Sequence, residues 1–167
     1  MKWLGALLII AGSGAVGFSL ASEQRKDLRY LRMLLRVLNY ISCELQFRLP
    51  PLQELCLGAS RECSGVLRSV LEELSQELER QVLPCVSDHM EQVLSGKAMP
   101  ALTYQCLLQL GTSLGRFDLG GQLKGIEAVR ITCKTFLQEL EQNKDTRLRN
   151  YQTLSICAGA ALAIILI

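Results

Sequence analysis

Leu110-Gly111-Thr112-Ser113-Leu114-Gly115-Arg116-Phe117-Asp118, with Gln122 one turn further on, decides how this chain is read. Its two glycines lack a β-carbon. The backbone there can approach a neighbour closely or end a helix in the left-handed region. Asp118 is a good N-cap, because its carboxylate can accept from the free N–H groups of a helix's first turn. The segment is expected to be a corner between two helices, built by Gly111, Gly115, Asp118 and Gln122.

Upstream of the corner, apolar residues recur at helical intervals. Leu28, Leu31, Leu35, Leu38, Ile41 and Leu45 describe one helix face. Pro50-Pro51 ends that helix, and Pro51 can open the next, with Leu52, Leu55, Cys56 and Ala59 on its apolar side. A third helix is expected from about Ser64 to Gln81, burying Leu67, Val70, Leu71, Leu74 and Leu78. Pro84 interrupts, and Ser87 is a candidate cap for a short fourth helix holding His89, Met90, Val93 and Leu94. Ser95-Gly96 is its stop, Pro100 restarts the chain, and Leu102, Cys106, Leu107 and Leu110 make a fifth helix. Beyond the corner a last helix runs from about Leu119 through Ile126, Val129, Cys133, Leu137 and Leu140. Gly120-Gly121 weakens its first turn. The expected fold is all-α, a bundle of about six helices over residues 22–150. Few aromatics and abundant leucine agree with it.

Both ends are uncharged and apolar. Trp3 to Ala21 would form a helix of roughly 28 Å, close to the ~30 Å hydrocarbon core of a bilayer. Arg25, Lys26, Arg29, Arg32 and Arg36 follow it. Tyr151 to Ile167 would span about 25 Å, and Lys144, Arg147 and Arg149 precede it. Basic residues are retained on the cytoplasmic side. The expected domains are therefore an N-terminal transmembrane anchor (1–21), a cytoplasmic bundle (22–150) and a C-terminal transmembrane segment (151–167). The rival reading of the N-terminus is a cleaved signal peptide ending near Ser19-Leu20-Ala21, which would make the rest an exported helical module. Small residues at Ala11, Ala15 and Ser19, and at Ser155, Gly159 and Ala163, form ridges on which the anchors could pack.

Chemistry is sparse. Seven cysteines, an odd number with no C-x-x-C pair, read as reduced thiols buried as small hydrophobes in a cytosolic domain. The single histidine, His89, reads as a surface side chain and lacks metal-ligand spacing with the cysteines. No nucleophile relay and no phosphate-binding lysine motif is present, so neither catalysis nor cofactor nor small-molecule substrate is expected. Gly12-Ser13-Gly14-Ala15-Val16-Gly17 spells a dinucleotide-binding pattern. No second strand with an acidic residue follows it, so a nucleotide-binding enzyme is the weakest reading. The formal net charge of +2 gives no basic field for nucleic acid.

The Leu-Gly-x-x-Leu-Gly-x-x-Asp-x-x-x-Gln run from Leu110 to Gln122, the glycine-containing N-terminal apolar segment and the apolar tail resemble the stage III sporulation protein AB family over essentially the full length. That resemblance implies a membrane protein of endospore-forming bacteria. It is similar to the cytoplasmic domain of inner-membrane platform proteins of type II secretion and type IV pilus machines. It further implies a non-enzymatic part in the mother-cell apparatus facing the forespore during engulfment. The implied partners are a secretion-type ATPase (stage III sporulation protein AA) and other channel components, with self-association a further expectation. Glu72, Glu73, Glu77 and Glu79 are the candidate partner face, with a solvated helix face as the plain alternative.

Overall fold

A computed structural model describes the backbone of residues 2–80, 85–115 and 118–166, and the side chains of 25–80, 85–115 and 118–142. Six helices follow one another: α1 (Lys2–Phe47), α2 (Leu52–Ser60), α3 (Val66–Arg80), α4 (Val86–Leu94), α5 (Ala101–Ser113) and α6 (Leu119–Leu166). No strand occurs among the described residues. The expected order of six helices holds. The two apolar end segments, 1–21 and 151–167, lie outside the residues whose side chains are described. Among the described residues no helix is long and apolar enough to cross a membrane.

The long helices α1 and α6 run antiparallel. Arg32 meets Glu141, whereas Asn39, further along α1, accepts from Arg130, earlier in α6. The Arg25 end of α1 and the Gln142 end of α6 therefore lie at the same end of the bundle. Of the short helices, α2 packs against α1, α5 packs against both α1 and α6, α3 packs on α2, and α4 lies between α3 and α5. One core joins them, with Leu31, Leu34, Leu38 and Ile41 of α1, Leu67 and Leu71 of α3, Met90 of α4, Leu107 of α5 and Val129 of α6 all fully buried.

The helix ends differ from the sequence expectation in two places. The stop of α1 comes two residues ahead of Pro50-Pro51. The helix closes at Phe47, and the N–H groups of Arg48 and Leu49 both donate to the Glu44 carbonyl. Leu49 sits at φ 48°, a left-handed conformation that a Cβ makes costly by roughly 1–2 kcal/mol. Ser87 does not cap α4. That helix starts at Val86 with an extended Cys85 at its N-cap, and the Ser87 hydroxyl, already inside the first turn, donates to Asp88. The stop at Ser95-Gly96 is where the sequence puts it, with Gly96 at φ 78°.

The six described cysteines are free thiols. Cys56, Cys63, Cys106 and Cys133 are buried, but Cys43 and Cys85 face solvent, so the reading of all of them as core residues is corrected for these two. Burial pushes the Cys56 thiol up to about 12. Burial also takes Cys63 up to about 11, against the opposing pull of Arg68 and Arg36. Cys133 is raised as well, by its hydrogen bond with Cys106 of α5 and by burial. The seventh cysteine, Cys157, lies outside the described side chains.

Candidate functional site

The glycine-marked segment begins one turn later than its sequence suggests. Gly111 belongs to α5 and is buried, and the helix continues to Ser113. A Cβ at Gly111 would come 2.9 Å from the Cβ of Met90 and 3.5 Å from the Cα of Ser87, so α4 crosses α5 nearly backbone to backbone there. Gly115 carries the reversal itself, at φ 71°. A Cβ on it would meet Val86 at 2.8 Å and Leu52 at 3.5 Å. The turn therefore gathers α2, α4, α5 and α6 at one place. Arg116 and Phe117 lie outside the described residues.

Asp118 opens α6. Its Oδ1 accepts the Gly121 N–H at 3.1 Å, and its carbonyl accepts the Gln122 N–H at 2.9 Å. The side-chain bond satisfies one of the four donors that a helix start leaves open. Asp118→Ala is expected to destabilise the full-length protein in detergent by about 1 kcal/mol, while Asp118→Asn keeps most of that stability. Thermal melting followed by circular dichroism checks both. Equal losses in the two variants would deny the cap its role.

A second close approach escaped the sequence reading. A Cβ at Gly125 would sit 2.6 Å from both Cβ and Oγ of Ser113. α5 and α6 are therefore in contact through a glycine and a serine. The available signal was a glycine four residues into the apolar face after Gly121. A Cβ at Gly58 of α2 would likewise overlap the Tyr40 hydroxyl of α1.

His89 corrects the sequence reading. It is 2% exposed, on the same face of α4 as the core residues Met90, Val93 and Leu94. Nine residues wedged between α3 and α5 leave little of that helix free. Among the described residues no group of three or more His, Cys, Asp or Glu side chains is placed to hold a metal ion.

The four glutamates of α3 do not form a bare acidic ridge. Glu72 pairs with Arg68 at 2.7 Å, Glu77 pairs with Arg80 at 3.0 Å, and Glu73 binds Lys97 from beyond α4. Only Glu79 lacks an ion pair among the described residues. Exposed pairs of this kind stabilise little, but each cancels the field its carboxylate would offer a partner. Arg25, Lys26 and Arg29 are exposed on α1. Lys144, Arg147 and Arg149 lie outside the described side chains.

The family model for stage III sporulation protein AB matches residues 2–167. The chain belongs to the stage III sporulation protein AB family. Stage III sporulation protein AB of Bacillus subtilis (strain 168) is 21% identical over 169 residues, covering 99% of each chain. A solved structure of stage III sporulation protein AB superposes with a TM-score of 0.63 at 19% identity. It covers 72% of this chain and 98% of its own. At that identity the superposition speaks to the helical fold, and the two folds agree. The stage III sporulation protein AB family is a family of sporulation proteins, and that role is shared by this chain.

Proposed function

We propose that this protein is a non-enzymatic membrane platform of a secretion-like sporulation channel, presenting its helical bundle to a cytoplasmic ATPase. One observation carries the reading. The antiparallel α1 and α6 leave the described core at the same end, and each continues toward an uncharged apolar segment. Basic residues stand between core and apolar segment on both helices. Two anchors inserted from the same side would hold the bundle against one leaflet, where positive charge favours the cytoplasmic face. Stage III sporulation protein AA is the ATPase partner that the family likeness suggests, and the mother-cell membrane facing the forespore is the location.

The exposed thiols of Cys43 and Cys85 test the topology. In intact sporulating cells a membrane-impermeant maleimide is expected to leave both unlabelled, and to label both after permeabilisation. Labelling from outside would instead support the exported-domain reading. Co-purification of full-length protein with stage III sporulation protein AA from solubilised membranes then tests the partner. Recovery of the bundle protein without the ATPase, with topology as proposed, would remove the motor from the account and leave the anchoring intact.

A further inference from the structure

Arg25, Arg29, Arg32 and Arg36 stand at intervals of four, three and four residues, which puts them on one face of α1. They rim an open groove of about 610 Å³ whose floor includes Leu28 and Met33. Ser64, just before α3, donates to the Met33 sulfur at 3.6 Å and closes the groove's far wall. All four guanidinium groups belong to exposed residues. Only Arg32 has a carboxylate partner among the described residues, Glu141 at 2.7 Å. Like charges one helical turn apart repel by a few tenths of a kcal/mol per pair. At Arg25, Arg29 and Arg36 no salt bridge among the described residues relieves it.

We propose that this arginine-rimmed groove docks an acidic helix of a partner protein. Length selects the occupant. The row covers twelve residues of α1, about 16 Å from Arg25 to Arg36, or three helical turns. That is too long for a single phosphate or carboxylate, and it matches a helix carrying acidic residues at the same spacing. Lipid headgroups do not reach the whole row. Arg36 lies fifteen residues beyond Ala21, about 22 Å along α1. The headgroup layer is only about 5–8 Å thick, and screening at physiological salt acts over about 8 Å. A second copy of this chain is a poor occupant, because three of the four glutamates on α3 already hold cations of their own. The leucine and methionine in the floor would cover the partner helix's apolar edge, and planar guanidinium groups would grip its carboxylates. Glu141, seated on Arg32 from α6, occupies one such position already. The surface is independent of whether the platform's motor is the ATPase named above.

The probe is a fluorescent 18-residue helical peptide with glutamates at intervals of four, three and four. Its anisotropy is read against full-length protein in phosphatidylcholine nanodiscs. Binding is expected to weaken at least tenfold in Arg29→Glu/Arg36→Glu. It is expected to stay within twofold in Lys124→Glu/Lys134→Glu, which carries the same charge change on exposed residues of α6. If the glutamate pair fails to fold, Arg29→Gln/Arg36→Gln should still lose threefold or more. Equal losses in the groove and control variants would reduce the effect to bulk charge and overturn the proposal. So would an unstructured polyglutamate binding as tightly as the helix, a 20-base-pair duplex binding more tightly, or binding that appears only when phosphatidylglycerol is in the disc.

Discussion

Gly111→Val is expected to lower the melting temperature of the full-length protein by roughly 6–10 °C, the equivalent of about 2 kcal/mol in a domain of this size. The position decides the size of the effect. An added Cβ would sit 2.9 Å from the Cβ of Met90, an atom fixed to the α4 backbone that no rotamer change can move aside. The helices must separate or the new side chain must strain, and overpacking of that kind costs about 1–3 kcal/mol. Helix propensity works the other way, since glycine within a helix is worth about 1 kcal/mol less than alanine. Gly111→Ala carries that same Cβ and recovers only the propensity, so it should lose about 1 kcal/mol, and the valine, with two further methyl carbons to place, should lose more. Gly115→Val is strained by its φ of 71°, at a cost of about 1–2 kcal/mol. Its close neighbour, though, is a methyl group of the half-buried Val86, which can turn away. The expected order of damage is Gly111 above Gly115. A valine at Gly111 that melts with the wild type, or the reverse order, would show that α4 and α5 are not held at backbone distance.

How far the sequence reaches is visible in these same residues. Glycines at 111 and 115 announce that something unusual happens to the backbone, and Asp118 announces a helix start. Both signals are local, so both can be read without the fold. Which glycine turns and which one packs depends on where α4 lies, and spacing along α5 does not contain that. The contact of Gly125 with Ser113 is hidden for the same reason: each is ordinary within its own helix, and their meeting is a property of the crossing. The residue type of His89 points to the surface. The deciding fact was the width of the buried face on a nine-residue helix packed on two sides. The ion pairs on α3 are legible to different degrees. Arg68 and Arg80 lie on the same helix as their partners and could have been paired with Glu72 and Glu77 by spacing alone. Lys97 could not, because it comes from beyond α4 to reach Glu73. The arginine row on α1 was in plain view. Its meaning as a groove needed the wall that Ser64 provides.

The core of α1 offers the second large effect, and it separates two registers of the same helix. Leucines occupy both 34 and 35, and the repeat read from sequence passes through Leu28, Leu31, Leu35 and Leu38. In the structure Leu34 is 0% exposed, and Leu35 is only partly buried against the core. The reason is that α1 packs against α6 and also against α2 and α5, so its buried face is broader than one stripe. Leu31, Leu34, Val37, Leu38 and Ile41 all lie within it. Leu34→Ala is expected to destabilise the protein by about 2–5 kcal/mol, because the lost transfer free energy is joined by a cavity that surrounding helices cannot close. Leu35→Ala, which removes contacts at the margin and leaves room for water, should cost about 1 kcal/mol. Exposed Ile131 on α6 serves as the reference, and its alanine variant should stay within about 0.5 kcal/mol of the wild type. Chemical denaturation of the three variants, with the slope of the transition checked for constancy, measures the difference. If Leu35→Ala proves the more damaging, α1 is rotated from the orientation described here. The arginine row would then turn with it, since Arg32 and Arg36 sit on the same turns as these leucines. A core measurement thus bears directly on whether the docking groove faces outward.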